Sequence, residues 1–225
     1  MRVVRGYRAS KIEGDFYPRL ILVTDRHRCE QGRLVEVIER CLEEGLDTVM
    51  LREKDLPGGQ MLEMATEIRR VTSGHNAKLI VNDRMDVAIV AEADGVHLGN
   101  RSFRSRDLKN RLPENMLVGA SAHNMDEALE AQNDGADYII LSPVFATSSK
   151  PGAKPLGVGK MKDIISRLRV PTYALGGVKQ SNAQALIEAG AKGVAVISAI
   201  LDHPRPHIAT GIMLQAMERV TNDTT

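Results

Sequence analysis

Eight short apolar runs, at 20–24, 48–51, 78–81, 95–98, 116–119, 138–141, 172–175 and 193–197, constrain this chain more than any other feature. Apart from the polar Lys78, their β-branched and large apolar residues suit strands buried on both faces. Helical periodicity fills the intervals between most of them. LVEVIERCLEEG sets Leu34, Val37, Ile38, Cys41 and Leu42 on one face, with Gly45 as a C-cap. MLEMATEIRRV repeats the pattern with Met61, Met64, Ala65, Ile68 and Val71. Asn124 followed by Asp126 and Glu127 reads as an N-cap and an acidic first turn, opening a helix that ends near Gly135. A further helical run, 182–188, stops before Gly190.

Short buried strands alternating with amphipathic helices specify a parallel sheet covered by helices. Eight repetitions predict an α/β fold, a single-domain (β/α)8 TIM barrel, over the alternative of an open Rossmann-like or flavodoxin-like sheet. No GxGxxG follows the first run, and GLDTVML, GADYIIL and GAKGVAV repeat a small-residue turn into a strand. A length of 225 residues is ordinary for one such barrel. The expected division is an N-terminal extension at 1–17, the barrel at 18–220 and a flexible C-terminal tail at 221–225. With no Trp and three Phe, aliphatic packing must carry the core.

Thirty basic and 29 acidic side chains are mixed along the chain and leave a net charge of +1, which excludes long-range attraction to nucleic acid or anionic lipid. An anion must therefore be held locally. Cys29 and Cys41 are too few for a disulfide framework or a four-ligand zinc site, so a reducing cytoplasm is the expected compartment. The N-terminus lacks an apolar segment followed by a cleavage site, and no run approaches the roughly 18 apolar residues of a membrane span. No membrane or nucleic-acid partner is expected.

In a barrel of this kind, chemistry sits at the C-terminal ends of the strands. ALGGVKQSN places Gly176 and Gly177 after the seventh run, and VISAI places Ser198 and Ala199 after the eighth. Together they suit a phosphate cup of backbone N–H groups, although two glycines also make a plain tight turn. After the second run, MLREKDL alternates Arg52 and Lys54 with Glu53, so both cations face one side. They could hold a carboxylate or second phosphate, or form a solvated strand end. Asn82 and Asp83 follow the third run and Ser121 and His123 the fifth; the loop SPVFATSSKPGAKPLG adds Thr147 and Lys150. Asp83 could bind Mg²⁺ or pair with a cation. His123 could transfer protons near neutral pH or simply cap the helix, and His97, inside VHL, reads as a packed structural residue.

LREK at 51–54, VNDRMDVA at 81–88, ADGVHLG at 93–99, GASAHNMDEA at 119–128, GADYIILSPVFATSSK at 135–150, LGG at 175–177 and GVAVISAI at 193–200 occur in an order that resembles the thiamine phosphate synthase and TenI superfamily. The resemblance covers about residues 18–200 and implies a TIM barrel of thiazole and pyrimidine phosphate chemistry. Its synthase branch joins a thiazole phosphate to a pyrimidine methyl pyrophosphate with Mg²⁺. That branch is matched at Arg52, Lys54, Asn82, Asp83, Ser121, Thr147 and Lys150. The chain departs from it at Met50 and Asn100, where the branch has glutamines, and at Ser102, where it has a magnesium carboxylate.

The TenI-like branch aromatises a thiazoline carboxylate phosphate, and it is similar through RSFRSRDLKNRLP and GASAHNMDEA, with His123 at the proton-transfer position. On these departures the chain is expected to be a thiazole tautomerase, an isomerase of thiamine biosynthesis. His123 would be catalytic; Arg52, Lys54, Asn82, Ser121, Thr147, Lys150, Gly176, Gly177, Ser198 and Ala199 would bind substrate. No cofactor is needed on this reading, with Mg²⁺ at Asp83 reserved for the synthase alternative. A non-catalytic thiazole phosphate-binding regulator is the third reading. The expected partner is a small phosphorylated thiazole, and assembly as a homo-oligomer is expected.

Overall fold

The computed structural model describes residues 18–30, 32–108, 111–147, 149 and 152–218. The expected extension at 1–17 and tail at 221–225 lie outside them. Eight parallel strands close into a barrel in sequence order. They are β1 (Leu20–Val23), β2 (Thr48–Leu51), β3 (Lys78–Asn82), β4 (Gly95–Leu98), β5 (Leu117–Ala122), β6 (Tyr138–Leu141), β7 (Thr172–Leu175) and β8 (Gly193–Val196). The (β/α)8 barrel is thus the observed fold. Around it run α1 (Leu34–Glu43), α2 (Gly58–Gly74), α3 (Met85–Val90), α4 (Ser105–Leu108), α5 (Met125–Asn133), α6 (Gly157–Ile165), α7 (Gln180–Glu188), α8 (Ser198–Leu201) and α9 (Pro206–Glu218).

The period of two along each strand separates two cores. Leu20 and Leu22, Val49 and Leu51, Leu79 and Val81, and Ile139 and Leu141 face outward into the layer under the helices. Ile21, Val23, Met50, Ile80, Ile140 and Ala195 alternate with them and face inward, where they pack with Tyr138 and Tyr173. Both faces of every strand are thereby desolvated, which is why the runs read as continuously apolar.

The sequence places the fifth strand at 116–119, whereas β5 continues to Ala122. Small residues at 119–122 make that stretch look like a turn. They are strand residues because the barrel interior is crowded there: a Cβ on Gly119 would overlap the Tyr138 ring, and one on Gly95 would lie 2.8 Å from the Leu117 carbonyl oxygen. The extension turns Ser121 into an inward-facing strand residue beside His97, since His97 pairs with Gly119 and Ser121 is two residues further along.

At the opposite rim, three aspartates that directly precede even-numbered strands cap their neighbours. Asp47 accepts from Leu20 N at 3.3 Å, Asp94 from Leu79 N at 2.9 Å and Asp137 from Val118 N at 2.8 Å. These bonds satisfy strand-end donors that have no ladder partner. The rim they stabilise lies away from the strand ends that carry the site.

Candidate active site

The C-terminal ends of the strands surround a cavity of about 870 Å³. Its floor is apolar, made by Val23, Met50, Ile140 and Ala195 from the tops of β1, β2, β6 and β8. Arg52 and Lys54 line one wall. Strand alternation sends the intervening Glu53 the other way, where its buried carboxylate accepts from Arg26 N at 3.0 Å and Arg26 Nη1 at 3.1 Å. The acid is therefore occupied with Arg26, while neither Arg52 nor Lys54 forms an ion pair among the described residues. Thr24 Oγ1 accepts from Arg52 N at 2.9 Å and fixes where the cationic segment leaves the strand.

Asn82 and Asp83 form the adjacent wall. Asp83 has a φ of 60°, a left-handed conformation that short polar side chains tolerate. Three bonds hold it there. Its N–H donates to the His97 carbonyl at 2.9 Å, while its carboxylate accepts from Gly99 N and from Asn82 Nδ2, each at 2.8 Å.

Gly176 and Gly177, with φ of 98° and 65°, follow β7 and line the cavity opposite the cations. Their carbonyls accept from Phe145 N at 2.9 Å and Asn182 Nδ2 at 3.1 Å, which fixes the loop through its C=O groups. Side chains are excluded here. A Cβ on Gly176 would sit 2.7 Å from Pro143 Cβ, and one on Gly177 would sit 2.7 Å from Phe145 Cβ. Ser198 lines the same edge.

His123 and Ser121 come from β5 and the residue after it. The α5 N-cap orients the histidine: Asn124 Oδ1 accepts from Glu127 N at 2.9 Å, and the Glu127 carboxylate accepts from His123 N at 2.9 Å and lies 2.8 Å from His123 Nδ1. Burial pushes the Glu127 carboxyl up, but the bonds from His123 and Asn124 outweigh it and leave it below its ordinary value. His123 thus lines the cavity and is hydrogen-bonded to the first turn of α5, whose N-cap is Asn124.

Ten of the expected site residues therefore share one cavity: Arg52, Lys54, Asn82, Asp83, Ser121, His123, Thr147, Gly176, Gly177 and Ser198. Ala199 does not line it, and Lys150 lies outside the described residues. The sequence reading missed Arg101 and Phe103, which also line the cavity; His97, read as a packed residue, is buried and hydrogen-bonded as expected but lines the cavity as well. Arg101 and Phe103 follow β4 directly, so inspection of every strand end would have found them. Nothing local marks His97, because only the barrel's curvature brings an inward-facing strand residue under the cavity.

Residues 20–200 match the family model described as thiamine monophosphate synthase. The chain belongs to the thiamine monophosphate synthase family. It is 43% identical over 184 residues to the thiamine-phosphate synthase of Chloroflexus aurantiacus, covering 81% of this chain and 85% of that one. To the thiamine-phosphate synthase of Clostridium novyi it is 36% identical over 188 residues, covering 83% and 92%. The solved thiamine phosphate pyrophosphorylase from Pyrococcus furiosus superposes with a TM-score of 0.83 at 32% identity, covering 90% of this chain and 96% of the other.

These relatives overturn the expected TenI-like branch, and with it the isomerase assignment and the thiazole tautomerase role. The departures at Met50, Asn100 and Ser102 do not exclude the synthase chemistry. Ser102 removes a carboxylate, but a Mg²⁺ that shares substrate phosphate oxygens needs only one or two carboxylates from the protein, and Asp83 remains. His123 does not separate the branches either, because its anchoring by Glu127 follows from the α5 cap whatever the reaction. Among the described residues no helix is long and apolar enough to cross a membrane.

Proposed function

We propose that the protein is a thiamine-phosphate synthase, coupling a thiazole phosphate to a pyrimidine methyl pyrophosphate with release of pyrophosphate. The observation that carries this reading is a single cavity with two anion-binding walls across an apolar floor. The Gly176–Gly177 loop and Ser198 hold the thiazole monophosphate through N–H and hydroxyl donors. Arg52 and Lys54 face the pyrophosphate, and their positive charge, in no ion pair among the described residues, is what a leaving group that gains negative charge requires. The two rings lie between these anchors on Met50, Ile140 and Ala195, so the thiazole nitrogen and the pyrimidine methylene meet in a fixed orientation.

The thiazole nitrogen contributes its electron pair to a new N–C bond at the methylene. The methylene C–O bond breaks, and its pair departs on pyrophosphate. No proton need move in that step. Asp83 and Asn82 are the groups that would hold Mg²⁺. Among the described residues no three or more His, Cys, Asp or Glu side chains form a metal cluster, and Asp83 is the sole carboxylate lining the cavity. One hard oxygen donor fits a magnesium ion completed by pyrophosphate oxygens and water, not one caged by protein alone. When bound, the ion would neutralise charge developing on the leaving pyrophosphate. Free thiols at Cys29 and Cys41 accord with a cytoplasmic setting.

Purified protein given both phosphorylated precursors and Mg²⁺ is expected to form thiamine phosphate and pyrophosphate in equal amounts. Arg52→Ala is expected to lower kcat/KM by about 100-fold, the scale of losing a charged transition-state contact. Absence of product from the wild-type protein would overturn the reading.

A further inference from the structure

Below the cavity's polar wall, His97 and Ser121 project into the barrel from the adjacent strands β4 and β5. His97 is 3% exposed, and its Nε2 lies 2.9 Å from Ser121 Oγ. The imidazole stacks on Tyr138, with ring centroids 5.6 Å apart and an interplanar angle of 28°. Its other nitrogen, Nδ1, is buried without a hydrogen-bond partner among the described residues. Ser121 is half-buried and lines the cavity, so it links the hidden ring to whatever the cavity holds.

A neutral imidazole carries one N–H, and the two placements have different consequences. With the proton on Nδ1, a buried N–H would have nothing to accept it, and Nε2 would take the Ser121 hydroxyl proton. Ser121 would then offer the cavity only lone pairs. With the proton on Nε2, the orphaned Nδ1 is a bare acceptor, a less costly defect than a buried N–H with no acceptor. Ser121 Oγ then accepts from the ring, and its own proton is left for the cavity.

We infer that His97 is a positioning residue: its Nε2–H donates to Ser121 Oγ and commits the serine hydroxyl as a donor to an acceptor atom on the bound substrate. Stacking on Tyr138, whose own ring is packed closely against Gly119, holds the ring plane that this requires. His97 itself need not touch substrate. The inference deepens the synthase reading, and only its activity arm rests on that reading.

The test begins with ¹⁵N-labelled wild-type protein, in which two-bond proton–nitrogen correlations report the His97 tautomer. Protonation at Nε2 is expected; protonation at Nδ1 overturns the inference whatever reaction the protein catalyses. In the coupling assay, His97→Met should lower kcat at least tenfold. His97→Gln, whose amide nitrogen can take the place of Nε2–H, should recover most of that loss. In a Ser121→Ala background, His97→Met should cause no further loss, whereas multiplicative losses would refute action through Ser121. Thermal melts of each variant separate these effects from unfolding. A wild-type protein that makes no thiamine phosphate sinks the synthase reading and leaves the tautomer measurement to judge His97.

Discussion

Burial holds His97 neutral by pushing its pKa down to about 4, with the charge of Asp83 opposing only part of that effect. The unfolded imidazole titrates near its ordinary value of about 6.5, so between those limits the unfolded chain binds more protons than the folded one. Stability is therefore full above about pH 6.5 and falls as pH drops toward 4, by on the order of 3 kcal/mol. Urea unfolding at pH 7 and pH 4.5 should show this loss in the wild type and a smaller one in His97→Gln. Asp86 behaves differently. Its carboxyl is lowered to about 2 by the Arg84 guanidinium, so its contribution is present above the unfolded carboxylate value and disappears only below it. An equal slope in wild type and His97→Gln would show that another group controls the pH 4–6.5 window. At this scale the sequence exposed the cations, the glycines and His123, because their positions after strands are local facts. It could not assign His97, whose chemistry depends on Ser121 24 residues away.

The elements are joined by strand-end aspartates, and Asp94 illustrates the energetics. Besides capping Leu79 N, it accepts from Arg69 Nη1 at 2.7 Å and Lys78 Nζ at 3.0 Å. Asp94→Ala leaves a strand N–H and two cations without their acceptor, and is expected to destabilise the fold by about 2–3 kcal/mol. Because this residue lies at the rim away from the cavity, kcat of the remaining folded protein should be unchanged at 20 °C. A denaturant midpoint equal to wild type would show that water replaces the cap without loss. The helices were legible from periodicity and caps: Asn124 does cap α5, and α7 occupies the expected 182–188 with two added residues at its start. The end of β5 was not, since alanine, serine and glycine lack the bulk that marks a strand and take their conformation from neighbouring ladders.

Closure of the whole barrel depends on the seam between the first and last strands, where Leu20, Ile21 and Leu22 pair with Val194, Ala195 and Val196. Gly193 makes that approach possible, because a Cβ there would collide with the Arg19 carbonyl oxygen and sit 2.7 Å from that of Pro18. Gly193→Val is expected to cost about 3 kcal/mol and to shift the urea midpoint accordingly, since neither backbone can move without opening the ladder. A wild-type midpoint would mean that the seam accommodates the side chain without loss of stability. By itself, the sequence determined the repeating strand–helix unit, the superfamily though not its branch, and the set of loops that meet at one rim. Those follow from periodicity and from residues adjacent in the chain. Only the tertiary structure decided which face of each strand looks into the cavity, that Glu53 is engaged with Arg26 while Arg52 and Lys54 are not, and that His97 reaches Ser121. Contacts of that kind are set by barrel curvature and register between distant segments, which no local pattern of residue types encodes.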